Sequence, residues 1–281
     1  MWVDYSGTRQ QADSGGINCT MVYTESHTHY GVKYLLTPNV PNNEGCFRPI
    51  KVTAPPGSIM NCTFPASVSI RTRTGWFLHD ALAGALSQAL PDRVRAGSGM
   101  LQTMTARAMG ADGRLYHALI PIGTGQGAAV GHDGDPGWIF PSSCSGVPTE
   151  TLEQNCPVIV HEKRILPDTG GAGRWRGGPG YAMTISRLVG FDGWVRLWTN
   201  PMHHIAPAQG LNGGQPGSLT RLLLNGEVLS LDSELLKTGW MTLERDKDRL
   251  TFEGPGGGGV GHPAERDPAA IEQDRRSGYI T

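Results

Sequence analysis

The apolar positions along this chain change their period near its middle. Ahead of residue 157, helical spacing alternates with short strands. Val22, Tyr23, Tyr30, Val32, Tyr34, Leu35 and Leu36 fit a helix over Thr20 to Leu36 better than a strand, and Thr37-Pro38 marks its end. The clearest helix runs from Trp76 to Leu90. Leu78, Leu82 and Leu86 repeat every four residues there, Phe77, Ala81, Ala85 and Ala89 lie beside them, and Pro91 follows the last turn. Its small residues Ala81, Ala83, Gly84 and Ala85 predict close packing against another helix or sheet. Short strands are expected at Met1 to Tyr5 and Lys51 to Thr53, and a half-buried one over Ala66 to Arg71, where Val68 and Ile70 alternate with serines. Asn39 to Pro49 reads as a loop, Leu115 to Ile122 as a strand and Thr149 to Asn155 as a short helix.

Past Gly180 a period of two dominates. Tyr181 to Leu188 and Trp194 to Trp198 read as strands joined by Phe191-Asp192-Gly193, and Met241 to Leu243 with Leu250 to Phe252 as a pair across a charged turn. Leu222 to Leu224 and Glu227 to Leu229 flank Asn225-Gly226, whose residues readily take the positive φ values of a two-residue hairpin turn. Asp267 as cap, Pro268 at the first helical position and Gly278 as stop predict a terminal helix from Pro268 to Arg276. The fold class is therefore α+β. A mixed helix and strand segment over 1–157 precedes a β-rich segment over 158–281 that carries glycine-rich loops and the short terminal helix.

Between these halves lies Asp168-Thr-Gly-Gly-Ala-Gly-Arg-Trp-Arg-Gly-Gly-Pro-Gly180, and a second glycine run occupies Gly256 to Gly259. Glycine is costly to order, so such density implies positive φ or a close approach of backbone to something else. Glycine (40) and proline (20) make up about a fifth of the 281 residues, below the level that marks low-complexity disorder. Aliphatic and aromatic runs interleave them, so the chain reads as folded and loop-rich.

Charge excludes some partners. The net charge is −1 and no basic run occurs, which leaves nucleic acid or an anionic membrane surface without an electrostatic footprint. No stretch approaches the ~20 apolar residues needed to cross a bilayer. The five cysteines are odd in number, widely spaced and form no Cys-x-x-Cys pair, arguing against a disulfide framework or a zinc ribbon and for a reducing cytoplasm. The strand at Met1 has no cap ahead of it, consistent either with the second half of a larger protein or with an ordinary edge strand.

Candidate chemistry is sparse. His27-Thr28-His29 would share a face on a strand but points apart on the expected helix, so it does not form a metal site there. Backbone N–H groups of Gly256, Gly257, Gly258 and Gly259 could cradle an oxyanion, yet no Gly-Lys-Ser/Thr follows, which favours a structural or interface loop. Arg174 and Arg176 are the groups of the first glycine stretch suited to an anion. Without a helix or lysine beside them they fit better as anchors of packing or of a subunit contact. The chemically densest loop holds Asn43, Cys46 and Arg48. Its thiol would be a nucleophile only if Arg48 lowered its pKa, so a substrate or interface role is the plainer one, and no catalytic residue is assigned.

Several stretches, in order, resemble the hydantoinase B/oxoprolinase family: Val3 to Thr8, Asn42 to Ile50, Phe64-Pro65-Ala66, Asp80-Ala81-Leu82, Val147 to Glu150, Asp168 to Gly180, Gly256 to Asp267 and Arg276 to Tyr279. The chain looks like the carboxy-terminal half of that family's subunit. The resemblance implies one continuous family domain and an enzyme component that opens cyclic amides such as hydantoins or 5-oxoproline with ATP hydrolysis. The implied partners are a nucleotide-binding hydantoinase A-type subunit and a chain carrying the amino-terminal half. ATP with Mg and a transition metal (Zn or Mn) would then reside in those partner chains, with no metal ligand or cofactor in this one. Related assemblies carboxylate ketones, so a ketone carboxylase subunit is the alternative, and a non-catalytic assembly module a third. The chain departs from the family pattern at Val260 and His262, at His27 and His29, and at Gly146-Val147-Pro148.

Overall fold

The computed structural model describes residues 1–142, 144–199 and 201–281. These divide into two compact units, Met1–Val94 and Arg95–Thr281.

In the first unit, β1 (Trp2–Asp4) is followed by α1 (Met21–Leu36), a one-turn α2 (Glu44–Phe47), β2 (Lys51–Thr53) and α3 (Arg71–Ser87). The strand at the start finds its neighbour in this chain: β1 pairs in parallel with β2, Val3 opposite Val52. α1 presents Thr24, Thr28, Val32 and Leu35 as a buried stripe, and α3 presents Gly75, Leu78, His79 and Leu82. The helices approach closely where side chains are missing. A Cβ on Gly31 would lie 2.6 Å from Leu82, and one on Gly75 2.6 Å from Tyr23. Ala83 is buried as expected, whereas Ala81 and Ala85 face solvent.

α3 begins five residues before the expected start at Trp76. Thr74 donates its hydroxyl to the Ile17 carbonyl and Arg71 a guanidinium N–H to the Val68 carbonyl, so polar contacts fix the first turn. The strand expected over 66–71 is absent: the Ser67 carbonyl accepts from the backbone and side-chain amides of Asn18, and no ladder forms. Alternation without a partner strand does not make a sheet. Within the expected 39–49 loop, Asn43 in extended conformation opens α2, and the Arg48 N–H closes it on the Glu44 carbonyl.

The second unit contains β3 (Gln102–Gly110), β4 (Leu115–Ile122), α4 (Thr149–Asn155), β5 (Val158–Leu166), β6 (Gly180–Arg187), β7 (Gly193–Thr199), β8 (Arg221–Leu224), β9 (Glu227–Val228), α5 (Glu234–Thr238), β10 (Trp240–Thr242), β11 (Arg249–Glu253) and α6 (Pro268–Arg276). They form a four-stranded sheet, β10-β7-β3-β4, and a five-stranded sheet, β5-β6-β11-β8-β9. Met104, Ile120, Ile122 and Leu197 from one sheet pack with Met183, Ile185, Leu250 and Phe252 from the other, and Leu152 of α4 joins them. The β8–β9 turn has φ of 55° at Asn225 and 89° at Gly226, as its sequence predicts. Two expected pairings differ. β6 and β7 lie in different sheets, as do β10 and β11, because each connection crosses the sandwich rather than turning back on itself.

Beside the sandwich, glycine-rich segments pack backbone on backbone. Residues 254–260 run through their middle. A Cβ on Gly256 would overlap the Thr169 carbonyl, on Gly257 that of Gln126, on Gly258 that of Gln209, and on Gly259 that of Ala172. The neighbour facing Gly256 thus returns three residues later, the threefold repeat of a polyproline-II-type extended helix. Such a helix has no internal hydrogen bonds, and the bonds here run between segments: Gly171 N–H to Gly257 O, Ala128 N–H to Gly258 O, Leu211 N–H to Gly259 O. None of Gly170, Gly171, Gly173, Gly177, Gly178, Gly180 or Gly256–Gly259 has positive φ. Close approach alone requires them.

Candidate functional site

Trp175 and its two arginines sit on the rim of this glycine bundle, and their roles divide. Arg176 is buried. Its backbone N–H donates to Asp133 at 2.7 Å, and its guanidinium donates to the Gly177 carbonyl at 2.6 Å and to Asp274 at 3.1 Å, lying over the Tyr279 ring at 4.9 Å. Arg266 grips Asp133 through both carboxylate oxygens at 2.8 Å and bonds the second oxygen of Asp274. Two arginines and two aspartates thus close a chain in which α6 supplies Asp274 and the loop after the bundle supplies Arg266. Burial works to raise the Asp133 pKa, but the Arg266 hydrogen bond, the Arg176 N–H and the two positive charges outweigh it and hold the carboxyl below its usual range. The Asp133 hydrogen bond, opposed by burial, raises Arg266.

Arg174 takes the other direction. It is exposed, stacks on Trp175 at 4.8 Å and lies 3.9 Å from Glu265. With Gly131, Asp133, Trp175 and Ala270 it borders a cleft of about 300 Å³. Arg266 at the cleft wall is committed to its two aspartates, and Arg174 is the exposed cation of the cleft. The cleft residues include no hydroxyl, thiol or imidazole, and their carboxylates are Asp133, held by Arg266, with Glu265 and Asp267.

Gly256–Gly259 form no cradle. Their N–H groups donate to Ser218 Oγ, Gly178 O, Gly97 O and Gln215 O in turn, so each donor is spent inside the protein. Asn43, Cys46 and Arg48 lie in the other unit, around α2. Asn43 Nδ2 and Cys46 Sγ both donate to the Pro41 carbonyl, at 3.0 and 3.3 Å, and Arg48 is exposed. Phe47 between them stacks on His29 at 5.2 Å. The structure therefore gathers the candidates into two groups, 43–48 in one unit and 174–176 with 256–259 in the other.

Sequence spacing did not reveal a histidine pair. His27 Nδ1 and His79 Nε2 are 3.1 Å apart across the α1–α3 seam, with Tyr23 tilted against His27 at 4.4 Å and Tyr30 edge-on to His79 at 4.9 Å. Burial, then the neighbouring His27, depress His79 to about 3, and burial lowers His27. The residues are 52 positions apart, and only the place of His79 between Leu78 and Leu82 on the buried stripe hinted at it. Burial pushes the thiols of Cys19 and Cys156 up to about 11 and about 12, away from nucleophilic use. Among the described residues no group of three or more His, Cys, Asp or Glu converges, so a metal of the kind the resemblance implies finds no full ligand set here. Nor do the spent amides of 256–259 fit a nucleotide phosphate.

The sequence profile of the hydantoinase B/oxoprolinase family matches residues 1–263. A protein provisionally named as the B component of a D-/L-hydantoinase, from Pseudomonas sp. (strain NS671), is 31% identical over 99% of this chain and 48% of its own length. The beta component of the caprolactamase of Pseudomonas jessenii is 31% identical over 86% of this chain and 43% of its own. The crystal structure of the ATP-dependent caprolactamase from the same organism superposes with a TM-score of 0.79 at 26% identity, covering 98% of this chain and 49% of that one. The chain spans about half the length of these relatives.

Proposed function

Because the chain belongs to the hydantoinase B/oxoprolinase family, we propose that it is a component of an ATP-dependent cyclic-amide hydrolase. The observation that carries this reading is the family match over 1–263, together with relatives named for lactam, hydantoin and 5-oxoproline chemistry. The chain works with a nucleotide-binding hydantoinase A-type subunit and with the amino-terminal half of a hydantoinase B-type subunit. ATP, Mg and a transition metal reside in those partners, where phosphorylation of the amide oxygen makes the ring carbon a better electrophile. Five unbridged cysteines support assembly in the reducing cytoplasm. No helix among the described residues is long and apolar enough to cross a membrane.

This chain's own share falls to the exposed groups. The Asn43, Cys46 and Arg48 turn and the Arg174–Trp175 rim shape the site or the contact with partner subunits, while Arg176 and Gly256–Gly259 hold the scaffold that presents that rim. Reconstitution with both partners tests this. ATP hydrolysis should rise when hydantoin, 5-oxoproline or a lactam is added, and Arg48→Ala should lower that rise by roughly tenfold, about 1.4 kcal/mol. A rise that requires a ketone and bicarbonate would transfer the chain to the carboxylase reading. Unchanged turnover in both Arg48→Ala and Cys46→Ala would leave it an assembly module.

A further inference from the structure

The open side of the sandwich is only half covered. The edge strands β4 and β5 lie along that side, and α4 packs on both of them with Leu152 buried in the core. Before α4, the gap stays open as a crevice of about 150 Å³. Ile120, Ile139, Met183 and Val147 form its apolar walls, and Lys163 and Tyr181 supply its polar groups.

Lys163 reaches this crevice because of a bulge in β5. Val160 pairs with Ile185, but Glu162 pairs with Thr184 and Lys163 with Met183, so one extra residue is inserted at 161. Residues directly opposite in an antiparallel pair point to the same face. Without the insertion Lys163 would stand opposite Ala182 and face outward; with it, Lys163 shares the inner face with Met183. A bulge of this kind re-aims a side chain. Lys163 Nζ donates to the Val147 carbonyl at 3.2 Å, which uses one of its three N–H donors and holds the ammonium at the mouth. Tyr181, opposite Ile165 on the same inner face, is half-buried.

We propose that this crevice is a binding site for a short-chain carboxylate, whose alkyl body fills the apolar gap and whose oxygens accept from Lys163 and Tyr181. The volume suits a guest of roughly five to eight non-hydrogen atoms. A neutral guest would leave the ammonium without the charge that its re-aimed position serves. An inward lysine on an edge strand also discourages edge-to-edge pairing, and that role requires no ligand. The site is separate from the Arg174 cleft and independent of the ring-opening reading.

Calorimetric titration of the full chain with valerate, and with δ-valerolactam as the neutral probe of similar size, tests the proposal. Valerate should bind saturably at about 1 mM, and the lactam at least roughly tenfold more weakly, as loss of a charge-assisted hydrogen bond predicts. Lys163→Met should weaken valerate by roughly tenfold or more, and Val147→Trp, which fills the mouth, should abolish binding. Lys163 is exposed and Val147 half-buried, and unchanged thermal melting verifies that both variants fold. Absence of saturable valerate binding, equal binding of the lactam, or valerate binding that survives both substitutions would overturn the proposal.

Discussion

The sandwich and the glycine bundle lie in one compact unit yet are held together by opposite means. In the sandwich, two sheets stand apart and the space between them is filled by Met104, Ile120, Leu197, Phe252 and their neighbours. Burial of apolar side chains supplies its stability, at about 25 cal/mol per Å² removed from water. In the bundle the apolar cluster is small, Ala96, Ala128 and Val260 with Trp175 and Leu211 beside them, and a dense lattice of N–H to carbonyl bonds leaves no room for a Cβ at Gly256, Gly257, Gly258 or Gly259. A side-chain core absorbs a changed volume by repacking. A backbone lattice has no slack of that kind.

Single substitutions can break the comparison. Gly257→Ala adds one methyl group whose carbon would overlap the Gln126 carbonyl, and both chain segments are pinned by hydrogen bonds. Its expected cost consumes most of a domain's roughly 5–15 kcal/mol, so thermal unfolding should show this unit unfolded or melting far below the parent. Leu197→Ala in the sandwich, a larger change in atoms, should cost only about 2–5 kcal/mol. If the two variants melted together, the proposed difference between the regions would be lost.

The junction of bundle and α6 comes next. Asp274→Ala leaves Arg266 on Asp133 and strips the buried Arg176 guanidinium of its carboxylate partner. Breaking such a buried network should cost about 3–5 kcal/mol, read as a drop in the denaturant midpoint at constant slope. A drop below about 1 kcal/mol would show that the guanidinium reaches water instead.

Unit one offers an intermediate case. The α1–α3 seam uses two glycines for closeness but fills the rest with rings, including the His27–His79 pair. Both folded-state pKa values lie below the ordinary value near 6.5. Below that pH the unfolded chain binds protons that the folded seam refuses, so stability present above pH ~6.5 is lost progressively as pH falls toward His79's value of about 3. His79→Phe should flatten this part of the pH–stability profile. A profile equally steep in the variant would place the acid sensitivity elsewhere.

What the sequence made legible follows the same division. Elements whose residues act locally were readable: α4, β4 and α6 begin and end where the cap, proline and periodic signals put them. The Asn225-Gly226 turn was readable for the same reason. Pairing across the sandwich was not, since β6 and β7 carry strand patterns that say nothing about which sheet they join. For Asp168 to Gly180, composition announced a constraint but could not distinguish positive φ from close approach, because the neighbours lie at residues 126, 215 and 257. From sequence, Arg176 reads as an anchor of packing or of a subunit contact. Asp133 and Asp274, which it meets, carry no sequence signal, because no local pattern links positions that meet only through the bundle.

The threefold facing of residues 254–260 also governs the order of events during folding. The segment around which the bundle closes is the last of its segments in sequence, so the earlier ones wait for it across as many as about 160 positions. Loop-closure entropy must be met at every one of those contacts before any is rewarded, which makes such topology slow. Until 254–260 arrives, the amides of 125, 128, 171 and 211 have only water to bond. Their protection against hydrogen exchange should therefore appear as one late event, after the sandwich strands are already guarded.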